Sequence, residues 1–82
     1  MEINEGDKVR IIPNLKSEVE WYGIYVNNRM VEFAGQIVTI MMYMGRESGT
    51  KTFLIKEDNG VWLWGEEMFL PIRNTIKKLK GR

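Results

Sequence analysis

The dipeptide Asn59-Gly60, set between "KTFLIKED" and "VWLWG", constrains this chain more than any other feature. Asn and Gly adopt positive φ at the least cost, and a two-residue type I′ turn needs positive φ at both central positions. The flanks are therefore predicted to be antiparallel strands. A two-residue loop places Asp58 opposite Val61, Glu57 opposite Trp62, Lys56 opposite Leu63 and Ile55 opposite Trp64. One face then carries Phe53, Ile55, Trp62 and Trp64, and the other Leu54, Lys56, Val61 and Leu63. The aromatic face is the heavier, so Trp62 and Trp64 are expected in the core, with Leu63 at least partly exposed.

The rest of the chain reads as further short strands. "DKVRIIP" alternates Val9 and Ile11 against Lys8, Arg10 and Ile12, and Pro13 ends the ladder by removing a donor. "GQIVTIMMYMG" is rich in β-branched residues, with Val38, Ile40 and Met42 expected on one side and Ile37, Thr39, Met41 and Tyr43 on the other. Gly45 and "ESG" turn the chain, and "LPI" can supply a closing strand after a turn of helix in "GEEMF". The longest connection, "NLKSEVEWYGIYVNNRMVEFAG", ends as a short helix. Asn27 or Asn28 serves as N-cap, Met30, Phe33 and Ala34 line one face, and Gly35 is the stop.

With 82 residues there is chain for one small domain. Five short strands with one long first connection predict a mainly β fold, a small SH3-like barrel with a short helix in that connection. An OB-like barrel is the rival, although it needs more chain. The expected division is a barrel over 1–72 and a basic C-terminal tail over 73–82.

The quoted segments "GDKVRI", "LK", "YGIYV", the methionine-containing helix ending "AG", "VTI", "IKEDNG" and "WLWGEEMF" together resemble a family of short proteins from phages and prophages of Gram-positive bacteria. The resemblance covers residues 6 to about 70. It implies an SH3-like fold and a phage origin, and it carries no assigned chemistry to these positions.

Apolar residues make up 44% of the chain, which argues against disorder, and there is neither cysteine nor histidine. That composition excludes disulfides, thiolate or imidazole metal ligands, and Ser-His or Cys-His nucleophile pairs. A reducing compartment fits, and the expected location is the cytoplasm of a bacterial host. "IMMYM" is too short to span a membrane, and "MEINEGD" lacks the marks of a signal peptide. The adjacent Glu66 and Glu67 point in different directions, unlike a convergent acid/base pair. Glu57, Asp58 and Asn59 lack the alternating oxygen pattern of a calcium loop, and "GRESG" lacks the spacing of a phosphate loop and reads as a hairpin tip. The expectation is a non-enzyme without cofactor or metal.

Two groups of residues remain for binding. Trp21, Tyr22 and Tyr25 fall in the long connection, where they form a groove wall or plug the barrel end; Tyr22 and Tyr25 are the expected exposed pair. Met41 and Tyr43, in a methionine-rich strand, offer an adjacent adaptable patch that also admits a homodimer. These five residues are the expected contact site for a host or phage protein, which the chain would inhibit or redirect.

The alternative is nucleic-acid binding through the tail "RNTIKKLKGR". All eleven acidic residues lie in 1–72 against seven basic ones, a balance of −4, whereas 73–82 holds five basic residues and no acid. Arg73, Lys77, Lys78, Lys80 and Arg82 would contact phosphates. The same tail could instead dock Ile76 and Leu79 on the barrel or end in solvent. The acidic body weighs against DNA.

Overall fold

A computed structural model describes residues 2–72. Among the described residues seven strands form two sheets: β1 (Lys8–Ile11), β2 (Val19–Trp21), β3 (Ile24–Val26), β4 (Ile37–Glu47), β5 (Thr50–Ile55), β6 (Trp64–Gly65) and β7 (Phe69–Pro71), with helix α1 (Asn28–Val31) before β4. The larger sheet runs β6-β5-β4-β1-β7, and β2 pairs with β3 alone. All the pairings are antiparallel. The fold is mainly β, as expected, with two more strands than the sequence suggested.

Strand β1 shows why its sequence folds this way. Val9 and Ile11 are buried while Lys8 and Arg10 are exposed, so alternation places one face on the core. The other face is laid out by register, since Arg10 lies opposite both Ile37 and Leu70. Asn27 caps α1 by accepting from the Met30 amide at 2.9 Å, which seats Met30 in the core. A 3-10 turn over Glu66–Met68 then joins β6 to β7, the expected turn of helix before a closing strand.

Trp64 is the largest fully buried side chain. Phe33 meets its ring edge-on at 5.9 Å between centroids, Phe69 stacks at 6.4 Å, and Phe53 joins Phe69 at 6.1 Å. Ile11, Val26, Val38, Ile40 and Ile55 close around them. Aromatic pairs at these separations add to the area they bury.

Three expectations fail in detail. The Asn59-Gly60 turn forms, with φ of 59° and 71° and a Val61 N–H to Asp58 carbonyl bond of 3.2 Å, but the ladder does not continue from it. Phe53, not Ile55, lies opposite Trp64. The reason is competition for partners. The Lys56 amide donates to the Thr39 carbonyl, extending the β4–β5 ladder, and the Asp58 carboxylate takes up the amides of Gly60 and Val61. The slip is two residues, an even number, so Trp64 still faces inward. Trp62 is displaced to the rim, half-buried against Phe33 at 6.5 Å, and Leu63 is also half-buried.

The second departure is in β4. Its pairing with β5 is interrupted between Ile40 and Met42 and again between Tyr43 and Gly45. Each bulge adds one residue, Met41 and Met44 respectively, and bends the strand. Alternation resets after the first, which turns Met42 out instead of placing it beside Val38 and Ile40. Strand β4 also runs on through Gly45 to Glu47, so the hairpin tip is Ser48-Gly49 alone. The third is the hairpin β2–β3, built where a loop was expected. Its turn residues Tyr22 and Gly23 have φ of 53° and 88°, the positive pair that Asn59-Gly60 also adopts.

Candidate functional site

The β2–β3 hairpin divides the loop aromatics between two faces. Trp21 lies opposite Ile24, and Glu20 opposite Tyr25. Ile24 and Val26 are buried, so Trp21, on their face, packs against the core, while Tyr25 and Glu20 point away from it. Tyr22 occupies the turn, its ring 6.2 Å from that of Trp21. Tyr22 is 61% and Tyr25 58% exposed, the pair expected to be solvent-facing. Trp21 is half-buried, with its indole Nε1 enclosed and unpaired among the described residues. Of the two roles considered for this group, Trp21 takes the packing one and the tyrosines are free for contact.

The turn is fixed in place by a close approach. A Cβ at Gly23 would fall 2.8 Å from the Cβ and Oγ of Ser48, so the tips of the two hairpins touch. Only a residue without a side chain fits there. Tyr22 is thereby carried beside the Ser48-Gly49 tip. An aromatic residue at positive φ is itself uncommon, and such strain is held by surrounding structure.

The β4 candidates separate as well. Met41 is half-buried, with its thioether against Gly60, where a Cβ would come within 3.2 Å of Sδ. Tyr43 is 50% exposed and leans over Phe53 at 5.5 Å between centroids. Sequence reasoning missed the setting of Tyr43. The N-terminal segment, tied to β4 by the Gly6 amide donating to the Ile40 carbonyl at 2.9 Å, forms the wall of an open groove. Glu2, Glu5, Met42, Tyr43, Lys51 and Phe53 line it, and its volume is about 500 Å³. Nothing local signals this groove, because it depends on the bulges that turn Met42 outward and on the course of residues 2–6.

The carboxylates have structural work instead. Asp58 is buried, and among the described residues its carboxylate accepts from three N–H donors, the Gly60 and Val61 amides at Oδ1 and the Trp64 indole at Oδ2. Glu57 accepts from the Thr39 amide at 2.8 Å and the Thr39 hydroxyl at 2.9 Å, and Lys8 donates to that hydroxyl. Burial pushes the Glu57 carboxyl up, but the Thr39 bonds and the Lys8 charge together hold it below its ordinary value. Glu66 and Glu67 sit in the first turn of the 3-10 segment. Among the described residues no three Asp or Glu side chains converge as a metal site would require, and no helix is long and apolar enough to cross a membrane.

The proposed phosphate contacts Arg73, Lys77, Lys78, Lys80 and Arg82, and the docking residues Ile76 and Leu79, lie outside the described residues. In comparisons with known proteins, the chain matches no family model, no curated protein and no solved structure.

Proposed function

We propose that this chain is a non-enzymatic protein-binding module built on an SH3-like barrel. The strand order β6-β5-β4-β1-β7, with a long first connection after β1 and one 3-10 turn between the two edge strands, supports the barrel reading. Bulges that bend β4 serve the same curvature. The observation that carries the binding role is the outward placement of Tyr22, Tyr25, Tyr43 and Met44 on a domain too small to spare large side chains from its core. Tyrosine offers broad contact area at small entropic cost, and methionine adapts to its partner. The sequence resemblance adds a phage origin, and from that origin we extend the reading to a host or defence protein of the bacterial cytoplasm as the target, to be inhibited or redirected.

The test is capture from bacterial lysate by the tagged full chain, with and without nuclease, followed by rebinding of the purified partner. A protein retained after nuclease and lost with the Tyr22→Ser/Tyr25→Ser double variant is the expected result. Capture abolished by nuclease would transfer the function to nucleic acid, and undiminished capture by the double variant would remove these tyrosines from the site.

A further inference from the structure

The groove beside Tyr43 has a chemical character that the exposed tyrosines share. Its lining combines the aromatic and apolar side chains Phe53, Tyr43 and Met42 with two acidic residues of the N-terminal segment, Glu2 and Glu5. Glu20 lies directly across from Tyr25 in the same way on the β2–β3 hairpin. Residues 1–72 as a whole carry eleven acidic against seven basic residues. Aromatic faces attract cations through the ring quadrupole, and carboxylates add direct charge pairing, so this combination suits Lys and Arg side chains.

We propose that the groove between the N-terminal segment and the β4–β5 hairpin binds a partner protein's peptide segment in which Lys or Arg residues are interspersed with aliphatic ones. The aliphatic side chains fill the space over Phe53 and Met42, and the cationic groups meet Glu2 and Glu5 across the face of Tyr43. Lys51, which also lines the groove, repels a cation beside it, so the charge is taken next to Glu2 and Glu5. An acidic segment would meet the two glutamates of the lining and is rejected by the same charges. This inference rests on the protein-binding reading and names the chemistry of the partner.

The experiment uses the full chain and the synthetic peptide RNTIKKLKGR as the cationic aliphatic probe, with a control in which every Lys and Arg is replaced by Glu. Binding is followed by NMR shifts of the Met42 methyl and the Tyr43 ring. Saturable shifts with the cationic peptide only, weakened by salt and about three- to tenfold by Glu2→Gln/Glu5→Gln, are expected. Equal response to the control, or no saturable shift at Met42 and Tyr43, overturns the proposal. Because the probe matches residues 73–82, a full chain carrying Lys77→Gln, Lys78→Gln and Lys80→Gln is measured without peptide. If its Met42 and Tyr43 signals move, the groove is occupied by the chain's own segment, and the external partner is overturned. Failure of the groove with lysate capture intact leaves the binding module standing on Tyr22 and Tyr25, whereas loss of both removes the module.

Discussion

The Trp64 indole N–H donates to Asp58 Oδ2 at 2.9 Å, which ties the largest side chain of the core to the turn that precedes it. The same carboxylate holds that turn through Oδ1, at 2.8 Å from the Gly60 amide and 3.2 Å from that of Val61. One side chain thus closes a tight turn and satisfies a buried donor.

Replacing Asp58 with Ala should therefore cost more than the loss of an ordinary turn residue. It strands the indole N–H inside the core and frees two turn amides, for a loss of about 2–3 kcal/mol. Asp58→Asn keeps one acceptor oxygen and should cost less. Urea unfolding at neutral pH measures both, and equal stabilities of the parent and Asp58→Ala would show that the network is energetically idle.

The two tryptophans of "VWLWG" should part company on truncation. Trp64→Ala removes a ring that is 0% exposed and should cost about 3–5 kcal/mol, enough to unfold a domain of this size. Trp62→Ala removes a half-buried ring and should cost about 1–2 kcal/mol. Thermal melts rank them, and the reverse order would contradict the observed register.

Gly23→Ala should cost about 1–3 kcal/mol, because the new Cβ meets Ser48 while the backbone holds φ at 88°. The part due to contact should vanish when Ser48→Gly removes the opposing atoms. A double-mutant cycle separates the two parts; if Gly23→Ala costs the same in both backgrounds, the touching of the hairpin tips is not the cause.

Glu57 predicts a pH dependence of definite sign. Its folded carboxyl is held below the ordinary value of 4.5, so its contribution is present above that pH and is lost as pH falls through the folded value. The stability difference between the parent and Glu57→Gln should be largest near neutrality and shrink in acid. Denaturation midpoints over a pH series test this. A difference that stays constant with pH would mean that Thr39 does not favour the charged form.

Local signals in the sequence were legible wherever one residue decides the geometry. The pair Asn27-Asn28 marked the helix cap, which Asn27 supplies, Asn59-Gly60 the turn, and Val9 with Ile11 the inner face of β1. The inward face of Trp64 survived a wrong register because the error was even. Tyr22-Gly23 went unread because Tyr is a costly residue at positive φ, and the turn is fixed by Ser48, far away in sequence. The bulges at Met41 and Met44 were invisible for a related reason, since periodicity assumes an uninterrupted strand. For the candidate site this meant that the exposure of Tyr22 and Tyr25 could be read, whereas the groove around Tyr43 could not.

Strand β1 is bordered on one side by β4 and on the other by β7, with Val9 facing both Val38 and Pro71. A folding polypeptide makes the first of these pairings by closing residues 12–36, whereas the second must close residues 12–68. Closing so long a loop is slow on the scale of hairpin formation. In refolding, the β1–β4–β5 ribbon is thus predicted to form first with the outer edge of β1 unpaired, and pulse-labelled amide exchange should protect the β1–β4 bonds before the β1–β7 bonds.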